Sequence, residues 1–366
     1  MRIGIDFHLA EREGTGNCTY MRNLVESLVR LAPENEFYLY ITEPDNPYYR
    51  IFADKKSVTL RYIGAKSPVA RIFLMAMKTF EDNIDVLHVN YYGPPIHKGR
   101  LIVTIHDLSY HHIPECFSTF ERVKDELLIP VFARKADWVL TVSEYSRRDI
   151  ADSYQIPMEK IAVGYNGANP IFKPVSDKER AAAMIGGYGA TMPYILYIGR
   201  LNRRKNLHVL VEAFNRIKSE KSIPHRLVIV GKKDFLPREE LTLISSSPFK
   251  TDIIFTGYVK DEHLPMLYSL ADVFVYPSLF EGFGLPCLEA MSCGCPVVTS
   301  NTTSLPEVVG DAGILIDPTS ATEIAGAMLD IILDPQKSSM FKEKGLIRAA
   351  EFTWDKTAMK FLELCA

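Results

Sequence analysis

Apolar positions in this chain follow two rhythms. Short runs rich in Val, Ile, Leu and aromatic residues alternate with longer stretches in which apolar residues recur every three or four positions. That alternation is the mark of βαβ units around a parallel sheet. In the first half the short runs predict strands at Arg2–Asp6, Phe37–Ile41, Val58–Ile63, Val86–Val89, Leu101–Ile105 and Trp138–Val142. Met21, Leu24, Val25, Leu28 and Leu31 share one face of a helix predicted over Thr19–Leu31, and Ser143 is placed to cap another over Glu144–Tyr154. Residues 165–193 break both rhythms, running from YNGANPIFKPVSDKER to IGGYGATMP, and this Pro- and Gly-rich text marks a domain boundary. A second cycle predicts strands at Tyr194–Ile198, Arg226–Val230, Ile253–Thr256, Val273–Tyr276 and Pro296–Thr299, with Leu207, Leu210, Val211, Phe214 and Ile217 striping a helix. The expected fold is therefore α/β, two facing doubly wound domains with a cleft at the carboxyl ends of their strands.

Composition narrows this further. A length of 366 residues suits about two domains, and 47% apolar with 24% charged residues excludes disorder, collagen and coiled coil. Lys plus Arg number 42 against 45 Asp plus Glu, a net charge of −3 that excludes a protein coating nucleic acid. A phosphate-bearing partner then needs a local basic patch. The six cysteines form no CxxC pair and no zinc spacing, so they read as small hydrophobes of a reduced, cytoplasmic chain. Asp6, Glu11, Arg12 and Glu13 do not suit a secretory signal, and no apolar run approaches the ~18 residues of a membrane span, so any membrane contact is expected to be peripheral.

Candidate chemistry sits where strands turn into helices. Gly14 and Gly16 follow the first strand, where missing side chains let backbone approach a ligand; as a dinucleotide fingerprint the loop fails, because position 19 is Thr and the loop is long. His106 and Asp107 follow the apolar run Leu101–Ile105, where α/β sheets place reactive groups. Arg200, Arg203, Arg204 and Lys205 crowd one turn of a chain that is net acidic, a concentration suited to neutralising a diphosphate leaving group. In EGFGLPCLEAMSCG, residues 281–294, Pro286 suits the first helical turn and Gly294 the position past a helix end. The helix between them has an N-terminus that offers amides and a dipole to an anion, flanked by Glu281 and Glu289. No Asp-x-Asp pair or carboxylate cluster of the kind that holds Mg²⁺ or Mn²⁺ is present, so protein cations are expected to serve in place of a metal.

Taken with the segments GTG at 14–16, TIHDL at 104–108, TVSEYSRRDI at 141–150, YNG at 165–167, IGRLNRRKN at 198–206, FTGYV at 255–259 and FTW at 352–354, this chain resembles the family 4 retaining glycosyltransferases of GT-B architecture. The resemblance implies an N-terminal Rossmann-like acceptor domain over 1–170, joined by a last helix at about 353–366, and a Rossmann-like donor domain over 171–352. It implies that Glu281 meets the donor sugar, Glu289 the ribose hydroxyls, and Arg200 with Lys205 the diphosphate. Backbone at Phe283, Gly284 and Leu285 would touch sugar and phosphate, Tyr258 and Val259 would border the base, Gly14 and Gly16 would approach the phosphate, and His106 would stand beside the reacting carbon.

The implied reaction moves a hexose from a nucleoside diphosphate sugar, a substrate rather than a cofactor, to a hydroxyl of a glycan or lipid-linked acceptor. Similarity to bacterial polysaccharide mannosyltransferases favours GDP-mannose, with UDP-sugars next, and a role in polysaccharide or lipopolysaccharide biosynthesis. Competing readings are a sugar-nucleotide epimerase on the same architecture, a nucleotide-sugar-binding partner subunit, and an NAD oxidoreductase, which the incomplete fingerprint disfavours. Residues 64–80 combine Lys66, Arg71 and Lys78 with an apolar cluster. They read either as a core helix with solvated cations or as a helix resting on an anionic membrane at its inner face.

Overall fold

The computed structural model describes residues 1–64, 67–232 and 236–366. The chain divides into two compact units, Met1–Gly167 with Thr353–Ala366, and Ala168–Phe352. The first carries a seven-stranded sheet of β1 (Arg2–Asp6), β2 (Glu36–Ile41), β3 (Val58–Tyr62), β4 (Val86–Asn90), β5 (Arg100–Thr104), β6 (Trp138–Thr141) and β7 (Ile161–Val163), in the order β3-β2-β1-β4-β5-β6-β7. The second carries a six-stranded sheet of β8 (Tyr194–Ile198), β9 (Arg226–Val230), β10 (Ile253–Gly257), β11 (Val273–Tyr276), β12 (Val297–Ser300) and β13 (Gly313–Ile316), in the order β10-β9-β8-β11-β12-β13. Every pairing in both sheets is parallel.

Parallel strands covered on both faces are apolar throughout rather than alternating. Thus β4, β8, β11 and β12 are buried at every residue. In each sheet the strand order reverses once, between β1 and β4 and between β8 and β11, and it is outside the carboxyl ends at such a reversal that doubly wound folds bind ligands.

The strands β7 and β13 are absent from the sequence reading because each is a short edge strand of three or four residues, too brief to show a period. The first helix spans Gly16–Leu31, starting three residues before the expected Thr19: the Thr15 side chain caps it by accepting from the Cys18 amide at 3.2 Å. Gly16 is consequently its first residue. The last helix, Trp354–Cys365, packs against Gly16–Leu31 in the first unit. Its entry passes so close to Gly167 that a Cβ there would lie 2.4 Å from the Trp354 nitrogen, which accounts for the glycine of YNG.

The helix Pro68–Glu81 is only in part the core helix that one reading of residues 64–80 expects. Met75 joins the core, while Val69, Phe73, Met77 and Phe80 are exposed. Among its expected cations, Arg71 is buried and paired with Asp6, Lys78 pairs with Glu81, and Lys66 lies outside the described residues. Among the described residues, no helix is long and apolar enough to cross a membrane.

Candidate active site

The donor-like residues gather at the carboxyl ends of the second sheet. After β8 the chain passes Gly199 and an exposed Arg200 into a short 3-10 turn, Arg203–Lys205. Asn206 closes that turn in the left-handed region, at φ 58°, and its Nδ2 donates to the carbonyls of Pro277 and Pro318 at 3.1 and 2.6 Å. Those bonds pull the loop inward, so Lys205 is 6% exposed. This differs from a solvated basic loop. Its Nζ donates to Glu281 Oε1 and to Tyr276 Oη, and lies 4.9 Å from the centre of the Tyr276 ring.

Glu281 follows β11 in the loop that leads into the helix Leu285–Ser292. Its two oxygens differ. Oε1 accepts from Lys205 Nζ, from Tyr276 Oη at 3.0 Å and from Ser278 Oγ at 2.5 Å, whereas Oε2 has Arg204 Nη1 at 4.0 Å. Burial alone would raise this carboxyl, but the nearby charges of Lys205 and Arg204, with the hydrogen bonds from Lys205 and Ser278, lower it to about 2. Thr303 Oγ1 accepts from the Glu281 amide at 3.2 Å, and Ser304 Oγ donates to the carbonyls of Glu281 and Phe283 at 2.9 and 3.0 Å. One oxygen is thus held by three hydrogen bonds from the protein, while the other has a single cation at a longer distance.

Gly284 enters the helix at φ 105°, where any side chain is strained and a Cβ would meet Leu305 Cδ2 at 2.6 Å. The first amides of a helix have no partner within it, so Leu285 presents one at an N-terminus that Pro286 opens. On the same helix Glu289 accepts from Tyr268 Oη at 3.0 Å, and burial pushes it up to about 8 despite that bond. The two glutamates are therefore shifted in opposite directions, Glu281 toward the ionised form and Glu289 toward the protonated one. After β10, Tyr258 is exposed beneath Lys232, whose Nζ is 5.8 Å from its ring, and Val259 is buried.

In the first unit, His106 lies just beyond β5 and is 8% exposed. Its Nε2 is 3.2 Å from Asn90 Oδ1, and its ring stands edge-on to Tyr20, with centroids 4.6 Å apart. Burial lowers it to about 4, against the opposing pull of Asp107, so the imidazole is neutral at pH 7. Gly14 turns at φ 73°, and a Cβ on Gly14 or on Gly16 would meet nothing within 4 Å. The backbone there is open to approach from outside the unit.

Sequence reasoning gave no site role to Tyr276, Ser278, Thr303 and Ser304. Arg204 was counted in the basic turn without its place beside Glu281, and Tyr276 and Ser278 were visible five and three residues before Glu281. Thr303 and Ser304 carry no local signal, since only the turn after β12 delivers them.

Residues 16–171 match the model of Glycosyltransferase Family 4 and residues 187–348 that of Glycosyl transferases group 1. The O-antigen chain mannosyltransferase B of Escherichia coli is 35% identical over 285 residues, covering 76% of this chain and 73% of that protein. Among solved structures, sucrose-phosphate synthase from Thermosynechococcus elongatus superposes with a TM-score of 0.80 at 21% identity, covering 99% of this chain and 97% of that one. HepE of Anabaena in complex with UDP-glucose gives 0.76 at 18% identity, covering 99% and 98%. The chain belongs to the family 4 glycosyltransferases and has the two Rossmann-like units of the GT-B fold.

Proposed function

We propose that this glycosyltransferase moves mannose from GDP-mannose to a hydroxyl of a glycan or lipid-linked acceptor, with retention at the anomeric carbon and without a metal ion. The observation that carries the reading is the buried Glu281 carboxylate, held on Oε1 by Lys205, Tyr276 and Ser278, with only Arg204 near Oε2, at 4.0 Å. A fixed, ionised acceptor of this kind suits the hydroxyls of a sugar whose ring gains positive charge in the transition state. Mannose and the polysaccharide context rest on the name of the E. coli relative.

In this reading Lys205, Arg200 and the amides at Gly284 and Leu285 hold the diphosphate and stabilise its departure. Glu289, as a neutral carboxyl, both donates to and accepts from ribose hydroxyls. Tyr258 and Val259 border the base, Gly14 and Gly16 take the phosphate's approach, and His106 meets the transferred sugar as a neutral imidazole. The acceptor attacks on the face from which the diphosphate leaves, and the departing phosphate oxygen takes the acceptor's proton. No carboxylate is assigned as a nucleophile. The proposal of metal independence rests on Lys205, Arg200 and the amides at Gly284 and Leu285 supplying positive charge for the diphosphate.

Thermal-shift titration with GDP, UDP and ADP and their sugars tests the donor, since a ligand of the folded state raises its apparent stability. GDP-mannose should give the largest shift, and product NMR should show an α-mannoside formed in the presence of EDTA. A larger shift with UDP-sugars, a β-product, an altered donor with no transfer, or loss of activity with EDTA each overturns the corresponding part. We further propose a peripheral membrane contact through Val69, Phe73, Met77 and Phe80, hence residence at the cytoplasmic membrane face. Vesicle sedimentation should show binding that survives high salt, and no sedimentation at any salt removes it.

A further inference from the structure

In the second unit the donor residues cluster where the strand order reverses, at the ends of β8 and β11. The same reversal in the first unit falls at the ends of β1 and β4. There Ile5 is paired with His88, and His8 and Tyr91 follow the ends of these neighbouring strands. Neither has been given a role above.

Asp6, at the end of β1, is 2% exposed. Its Oδ1 is 2.7 Å from His8 Nδ1 and its Oδ2 accepts from Arg71 Nη1 at 2.6 Å. So short a contact between a ring nitrogen and a carboxylate requires the proton on Nδ1, even though Arg71 Nη1 also lies 3.1 Å from that nitrogen. Nε2, on the far side of the ring, makes no hydrogen bond among the described residues while 15% of the side chain is open to solvent. This is the carboxylate–imidazole arrangement that fixes a ring's tautomer and direction.

Tyr91 is held in a costly conformation. Its φ is 62°, and the Tyr92 amide donates to the Asn90 carbonyl at 2.7 Å across it, a three-residue turn of the rare positive-φ kind. Six described residues other than glycine have positive φ, and Asn83, Gln155, Asn206, Ser222 and Thr303 adjoin helix ends. The remaining one is Tyr91. The Tyr91 ring, half-buried, lies tilted against His106 with centroids 5.7 Å apart.

We propose that the ends of β1 and β4 form a subsite for a neutral pyranose of the acceptor, with Tyr91 under the apolar face of the ring and His8 Nε2 hydrogen-bonded to one of its hydroxyls. Arg71 is paired with Asp6, so its charge is not spare for a phosphate, and an aromatic ring beside an imidazole edge is suited to a sugar ring. The subsite rests on the glycosyltransferase reading, and its residues belong wholly to the first unit, so it can fail while the donor assignment stands.

The test is saturation-transfer NMR with methyl α-D-mannopyranoside and with methyl 2-acetamido-2-deoxy-β-D-glucopyranoside, alongside calorimetric titration of GDP. The wild-type chain should bind at least one glycoside. His8→Ala and Tyr91→Ala should each weaken that binding at least about fivefold, with Tyr91→Phe retaining it and GDP affinity staying within about twofold in all variants. Tyr91→Asn, whose residue tolerates this backbone, should also lose the glycoside and serves where the alanine variant does not fold. Wild-type binding of neither glycoside, unchanged binding by the variants, or displacement of the glycoside by inorganic phosphate overturns the subsite. If GDP binds no form of the protein, it is the donor assignment that falls, and the glycoside data still decide the subsite.

Discussion

Two strand-order reversals of the same architecture carry opposite chemistry. At β8/β11 the groups are charged: Lys205 is buried against Glu281, Arg204 is 4.0 Å away and Arg200 stands at the same turn. At β1/β4 charge is cancelled or suppressed: Arg71 is spent on Asp6, and burial keeps His88 and His106 neutral, lowered to about 3 and about 4. On the proposed reading, the first environment suits a departing diphosphate and the second an uncharged sugar. The fold supplies two equivalent addresses, and the side chains decide what each receives.

The largest expected effect lies on the charged side. Glu281→Ala should lower the rate of transfer by roughly 10²–10³, the loss typical of a preorganised electrostatic group. Initial rates of nucleotide release would show it, and near wild-type rates would dissolve the distinction between the two regions.

Protonation offers a second contrast. For His106 and His88 the folded values lie below the usual 6.5, so the unfolded chain binds protons first and stability should fall as pH drops from about 6.5 toward 4. For Glu289 the folded value, about 8, lies above the usual 4.5, so its contribution is lost as pH rises through that range. Urea denaturation as a function of pH should therefore show His106→Gln less sensitive to acid below about pH 6.5, and Glu289→Gln steadier between about pH 4.5 and 8, each by on the order of 2–3 kcal/mol. Identical profiles for the variants and wild type would mean that burial does not set these states.

The smallest effect concerns support. Thr303→Ala removes one bond to the Glu281 amide and should reduce transfer about fivefold, with little change in melting temperature. A loss as large as that of Glu281→Ala would promote Thr303 from holding the loop to contacting the substrate.

What the sequence revealed follows the chain. Glu281, Gly284, Pro286 and Glu289 are legible because one turn and one helix contain them all, and the eight-residue helix Leu285–Ser292 begins beside Pro286. Long buried strands such as Tyr194–Ile198 are legible from their unbroken apolar run. By contrast Arg71 read as a surface cation, since nothing in its helix announces that Asp6, 65 positions away, waits beneath it. The upward shift of Glu289 was equally hidden. It depends on burial and on Tyr268, which another helix contributes.

The central claim is that the Lys205 and Glu281 turn of the second unit holds the nucleoside diphosphate. Removing both charges together, as Lys205→Met with Glu281→Gln, avoids leaving either one buried alone. Calorimetric titration of GDP into this double variant should show affinity weakened at least roughly tenfold against wild type. Affinity within about twofold of wild type would contradict the account.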